Sequence, residues 1–322
     1  MRVLVAGATG AVGRQLVPQL VAAAHQVSGT TRSQPKMASL RAAGAEPYLL
    51  DGLDRAAVGE VVAQARPDVI VHEMTAIPAE LNFRTFDRTF AATSRLRTTA
   101  VDHLLAAARA EGVPRIVVQS YAGWPNSRTG GPVKTEEDPL DPDPPAAMRA
   151  TLDAIRYLER AVTSAPLEGV VLRYGSLYGP GASEMFVRLL RRRRVPVLGD
   201  GSGVWSFLHV TDAATATVAA LSQGDTGIYN VVDDDPAPVA EWLPVLARCA
   251  GAPPPRHVPA WLGRLAAGEP GLSVMTQVRG SSNAKAKREL RWTPIWATWR
   301  EGFATGLDRA YPDGASERRP VR

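Results

Sequence analysis

The sequence is short of several things, and each shortage removes a class of protein. It has one cysteine, Cys249, so there is no internal disulfide framework and a reducing compartment suits it. No window approaches the ~18 consecutive apolar residues of a membrane span. The N-terminus lacks the basic flank and long apolar run of a secretory signal, because glycines interrupt it at once. The expectation is a cytoplasmic protein with no membrane partner. The five histidines show no metal-ligand spacing, and with a single cysteine no metal site is expected. The formal charge is only +5. Most of that excess sits in Arg191–Arg194 and in Arg318, Arg319 and Arg322. No basic stripe is interleaved with aromatics, so nucleic acid is not an expected partner. Lysine is scarce, with Lys36, Lys134, Lys285 and Lys287 the full set.

What is present is a chain of 322 residues with 45% apolar and 21% charged content. That is ordinary for a soluble globular protein and enough for one large core or two smaller ones. Short apolar runs alternate with helical patterns. Strands are expected at Val3–Ala6, His25–Thr31, Glu46–Leu50, Pro67–His72, Arg115–Ser120 and Gly169–Tyr174. Helices are expected at Gly13–Ala24, Met37–Ala43, Arg55–Ala65, Thr89–Glu111 and Ala146–Thr163. The βαβα rhythm predicts an α/β protein of the Rossmann type, a doubly wound parallel sheet with helices on both faces. Tyr121–Pro145 carries six prolines and a cluster of acids and reads as a loop. Residues 1–178 are expected to form the dinucleotide-binding domain. Residues 179–322 form most of a smaller C-terminal substrate domain, with a return to the sheet within 204–232, near Gly227–Val232. The polar end Tyr311–Arg322 is expected to fray.

The opening strand runs into Gly7-Ala-Thr-Gly10-Ala-Val-Gly13 and then a helix. The first two glycines allow a sharp turn and close approach to a ligand, and the third allows tight packing of helix on strand. The helix N-terminus offers free N–H groups and the positive end of a dipole to a phosphate. Gly7, Thr9, Gly10, Ala11, Val12 and Gly13 are therefore candidate contacts to a dinucleotide. The second strand ends Thr31-Arg32-Ser33, without the acid that an NAD ribose prefers. Thr31 and Arg32 are candidate contacts to a 2′-phosphate, so NADP(H) is favoured over NAD(H).

The chain resembles the extended or atypical short-chain dehydrogenases/reductases of the NAD(P)-dependent epimerase/dehydratase type. GATGAVG matches their nucleotide turn and Asp51-Gly-Leu-Asp54 their acidic motif. DVIVHEMTA (Asp68–Ala76), LRYGSLYGPG (Leu172–Gly181) and VWSFLHVTDAA (Val204–Ala214) match later motifs. The resemblance implies that Asp51 meets the adenine and that Met74 and Thr75 lie beside the nicotinamide. It also implies a small-molecule substrate, and a homodimer through the helices Thr89–Glu111 and Ala146–Thr163.

In that family a tyrosine and a lysine four residues later do the proton work, and a serine after the fifth strand holds the substrate oxygen. Ser120 matches the serine. The positions of the pair hold Ala147 and Thr151, or Ala146 and Ala150 in a register shifted by one. None of the seven tyrosines, at positions 48, 121, 157, 174, 178, 229 and 311, has lysine four positions on. Other groups are candidates for the missing role. Tyr121 is either a proton donor, given a nearby cation, or an aromatic packing the loop. Glu73 is a candidate acid/base if burial raises its pKa, or else the partner of an arginine such as Arg84 or Arg97. Lys134 is either a cation folded over the site or a solvated loop residue, and Arg149 supplies charge but no proton. Trp124, Tyr178 and Trp205 are candidate walls of an apolar cleft, and Arg188 a candidate contact to a substrate anion.

Three functions fit this sequence. The first is an NADP(H)-dependent oxidoreductase acting on a small carbonyl, ene or imine substrate with an unusual proton donor. The second is a redox-neutral epimerase, dehydratase or cyclase on the same fold. The third is a non-catalytic NADP(H)-binding sensor or scaffold.

Overall fold

The computed structural model describes residues 1–78 and 82–308; the end Tyr311–Arg322, expected to fray, lies outside the described residues. The first half alternates strand and helix. It runs β1 (Arg2–Ala6), α1 (Gly13–Ala22), β2 (Gln26–Thr31), α2 (Met37–Ala42), β3 (Glu46–Leu49), α3 (Arg55–Ala65) and β4 (Val69–His72). Next come α4 (Phe86–Arg95), a π-helical turn (Leu96–Ala100), α5 (Val101–Ala110) and β5 (Arg115–Tyr121). β6 (Val133–Lys134), α6 (Arg149–Thr163) and β7 (Glu168–Tyr174) follow. The remaining elements used below are β8 (Ser176–Tyr178), α7 (Glu184–Arg191), β9 (Val197–Leu198), β10 (Val204–Trp205) and β11 (Phe207–His209). They continue with α8 (Val210–Ala220), β12 (Gly227–Val231), α9 (Val239–Cys249) and α10 (Ala260–Thr276).

Seven strands form one sheet in the order β12-β7-β5-β4-β1-β2-β3, and every pairing in it is parallel. The order reverses between β1 and β4, the place where open α/β sheets leave a crevice for ligands. Strand residues alternate between two buried layers, as parallel strands covered on both faces must. Val3, Val5, Val69, Val71, Val117, Leu172 and Tyr174 pack toward α1 and α8. Leu4, Ala6, Ile70, Ile116, Val118 and Val171 pack toward α3, α5 and α6. A second, aromatic-rich core lies beyond the sheet, built on Phe207, Trp242, Trp299 and Phe303. The return to the sheet is β12, a parallel edge strand beside β7. Among the described residues no helix is long and apolar enough to cross a membrane.

Two elements differ from the sequence expectation. The single helix over Thr89–Glu111 starts earlier, at Phe86, and is two α-helices joined by the π turn of Leu96–Ala100. Apolar spacing does not reveal a turn carrying one extra residue, because the flanking faces read as one stripe. The proline loop contains β6, which pairs with Gly280–Ser281. A two-residue strand is too short to leave a periodic signature.

Candidate active site

The nucleotide turn is shaped by sterics. Gly7 has φ +98°, and a Cβ there would lie 2.7 Å from the Glu73 carbonyl carbon. Only glycine fits, because β4 passes directly against the turn. A Cβ on Gly13 would lie 2.6 Å from Ala8 O, so the third glycine lets α1 close on the turn. At Gly10 the nearest atom to such a Cβ is Gly7 O at 3.3 Å. α1 begins at Val12 with no side-chain cap and no acid in its first turn. The Arg14 and Gln15 amides turn back to Gly10 O and Val12 O, which leaves the dipole end of α1 and the amides just ahead of Arg14 for an anion. The hydroxyls of Thr9 and Thr31 lie 3.2 Å apart, and Arg32 follows, exposed, at the end of β2. Asp51 is exposed and accepts the Leu53 amide, while Asp54 caps α3. The Met74 side chain lies over Gly52, and Thr75 is exposed. These residues fit a dinucleotide: the pyrophosphate belongs on the turn and the start of α1, and the adenosine half along the ends of β2 and β3.

At the ends of β4, β5 and β7 the two faces of the sheet carry different chemistry. Toward α8, Glu73 is buried and its Oε1 lies 2.8 Å from the Tyr174 hydroxyl. The Tyr174 hydroxyl is also 2.5 Å from the Thr217 Oγ1, and Thr217 donates to Ala213 O at 2.7 Å. A carbonyl only accepts, so the Thr217 hydrogen is spent on Ala213. Tyr174 must then donate to Thr217, and the remaining contact requires the proton on Glu73. Burial gives the same answer, raising the Glu73 carboxyl to about 8. Neither Arg84 nor Arg97 bonds to it. Burial thus raises its pKa as the acid/base expectation required, and in this structure its partner is Tyr174 rather than an arginine.

Toward α6, Glu159 takes two hydrogen bonds from Arg173, at 2.7 and 2.6 Å, and a third from Ser120 at 2.8 Å. All three side chains are buried. The Ser120 hydroxyl thus spends its hydrogen on Glu159 in this structure, while its oxygen keeps lone pairs free to accept. His72 bridges the Leu96 carbonyl and the Met74 amide, and burial lowers it to about 4, so it is neutral.

Tyr121 ends β5. Its hydroxyl lies 2.9 Å from that of Ser176, and burial raises its pKa. Arg97, from the π turn, is the cation that interacts with it. The Trp124 ring is 6.4 Å from Tyr121 and 5.1 Å from Phe86, which in turn is 4.6 Å from Phe90. An aromatic wall thus runs from the end of β5 to α4. Trp205 and Tyr178 belong instead to the second core. Trp205 lies 4.9 Å from Trp242 and donates to Val274 O, and Tyr178 is buried beside His209 and Phe303. Arg188 is exposed on α7. Lys134 is buried and paired with Asp138, and Arg149 makes an exposed pair with Asp143. At the start of α6, Thr151 donates through both its amide and its hydroxyl to Asp87.

Against this geometry stand the comparisons with known proteins. The model of the family described as NAD dependent epimerase/dehydratase family matches residues 3–232. The chain belongs to the NAD dependent epimerase/dehydratase family. This family member is 44% identical over 310 residues to a 3-diazoavenalumate denitrifying reductase of a Streptomyces species, covering 94% of this chain and 99% of that one. It is 28% identical over 267 residues to a 2-alkyl-3-oxoalkanoate reductase of Stenotrophomonas maltophilia, covering 79% of this chain and 77% of that one. The fold matches a UDP-glucose 4-epimerase of Thermus thermophilus in complex with NAD, with a TM-score of 0.72 and 24% identity over 96% of this chain and 99% of that one. Family motifs in the sequence lead to the turn and the strand ends. They do not lead to Glu159 or Asp87, and although Arg173 and Tyr174 lie in the motif at Leu172–Gly181, their partners lie far off in sequence.

Proposed function

We propose that this family member is an NADP(H)-dependent reductase that delivers hydride to an aromatic substrate bearing a diazo group, with loss of dinitrogen. The observation that carries the reading is 44% identity over nearly the whole of a relative whose name describes reduction of a diazo compound with loss of nitrogen. The chemistry agrees with what the chain lacks. Reducing a carbonyl makes an alkoxide, which needs a positioned proton donor. Reducing an aryl diazonium does not. The ring carbon gains hydride, the C–N bond breaks, and N2 leaves with the bonding electrons.

When bound, the reduced cofactor supplies that hydride. The protein's part is to bind and orient. The glycine turn and the start of α1 hold the pyrophosphate, and Arg32 meets the 2′-phosphate. Tyr121, Trp124 and Phe86 give a planar ring a surface to lie on, at the end of the strands. The commitment of Ser120 to Glu159 and of Glu73 to Tyr174 supports a reaction that asks neither for a proton.

The test is anaerobic mixing of enzyme, deuterated NADPH and an arene diazonium carboxylate. NADPH oxidation matched one for one by N2, with deuterium at the former diazo carbon, is expected. Turnover of carbonyl substrates with the diazonium untouched would overturn the reading, and no NADPH oxidation with either would favour the sensor. Arg32→Ala should weaken NADPH binding about tenfold or more and leave NADH unchanged; tighter NADH binding by the wild type would reverse the cofactor assignment.

A further inference from the structure

Among the described residues at the ends of β4, β5 and β7, Arg97 is a partly buried cation with no hydrogen bond or ion pair. It sits on the π turn between α4 and α5, an irregularity that often marks functional positions in helices. It follows Leu96, whose carbonyl lies 3.1 Å from the His72 ring at the end of β4, and its charge acts on His72, Tyr121 and Glu159. Partial burial lowers the guanidinium to about 10. Yet among the described residues its guanidinium has no hydrogen bond and no ion pair. Glu159 favours the charge from nearby but gives its hydrogen bonds to Arg173 and Ser120. His72 and Tyr121 are neutral. Counting charges, Arg173 and Glu159 cancel and Arg97 remains as one surplus cation. It is partly exposed, so it can be reached from outside.

A desolvated, unpaired cation is costly unless an anion arrives to complete it. Its planar fork suits an oxyanion. We propose that Arg97 holds an anionic oxygen group of the substrate, a carboxylate or a phenolate, with the substrate ring lying on the wall of Tyr121, Trp124 and Phe86. This rests on the reductase reading above and adds the chemical class of the substrate: a planar aromatic anion. Arg97 then fixes which end of the ring points out of the site, and so which carbon faces the cofactor.

Calorimetry on the NADP+-loaded protein tests it with unreactive probes. The pair para-hydroxycinnamate and its amide reports a carboxylate, and para-nitrophenolate against para-nitroanisole reports a phenolate. In the wild type one anion should bind at least about tenfold more tightly than its neutral twin, the yield of a charge-assisted hydrogen bond. Arg97→Gln should close that gap, Arg97→Lys should keep part of it, and NADPH affinity should stay unchanged in both. No gap for either pair in the wild type, or a gap surviving in Arg97→Gln, overturns the proposal. A parallel loss of NADPH affinity assigns the cation to the cofactor and overturns it as well. If Arg97→Gln does not fold, the wild-type pairs and Arg97→Lys decide. Anion preference without diazo turnover sinks the reductase reading alone, and turnover without anion preference sinks this inference alone.

Discussion

Glu73 and Glu159 are equally hidden, at 5% and 4% exposure, on opposite faces of the same sheet. One keeps a proton and the other holds an arginine. The difference comes from the neighbours. Glu73 meets a phenol whose own hydrogen is already directed to Thr217, and so it must donate. Glu159 meets a guanidinium and a hydroxyl that both donate. Burial sets the cost of a charge, and the partner decides whether that cost is met or avoided by protonation.

The comparison breaks most severely at Glu159. Glu159→Gln leaves the buried Arg173 without its paired carboxylate, and should cost about 3–5 kcal/mol of unfolding free energy in a urea titration. A loss below about 1 kcal/mol would mean that the cation finds water or another partner.

On the other face the sign is set by linkage. The Glu73 carboxyl is raised from 4.5 to about 8 in the folded state, so the folded protein holds a proton that the unfolded chain releases. This contribution is fully present below the unfolded value and is lost as pH rises toward about 8. It amounts to on the order of 3 kcal/mol lost by pH 7. Glu73→Gln, neutral at every pH, should flatten that decline in melts run between about pH 5 and pH 8. An unchanged slope would show Glu73 ionised in the native protein.

Smaller effects sharpen the contrast. Ser120→Ala removes one donor from a carboxylate that keeps two, and should cost about 1 kcal/mol in stability with little change in turnover. Tyr121→Phe should slow diazo reduction less than about threefold; a fall of about a hundredfold would reinstate the phenol as proton donor.

Much of the architecture is legible in the amino-acid sequence. The strand–turn–helix around Gly7, Gly10 and Gly13 is local, so a few residues determine it. The parallel sheet follows from repeated βα units whose periods are strong. The return near Gly227–Val232 rests on a short apolar run there, and that run is the edge strand β12 beside β7. The charged cluster is not legible. Arg97, Glu159 and Arg173 occupy three elements, and nothing in the local spacing says which carboxylate a given arginine will meet. Trp205 and Tyr178 show a related point: an aromatic residue reads the same in a cleft wall and in a core, and both pack on the second core here. Their burial depends on α9 and on the helix Trp299–Thr305, which pack against them from later in the chain.

The π turn has a consequence for how this helix pair can change. Each residue of an α-helix advances by about 100° around the axis. If Leu96–Ala100 wound as plain α-helix with the same residues, one flank would rotate by that amount. Either Phe86 and Phe90 leave the aromatic wall, or Val101 and Leu104 leave the core beneath β4 and β5. The extra residue is what allows a single rod to present rings to a ligand at one end and aliphatic side chains to the sheet at the other.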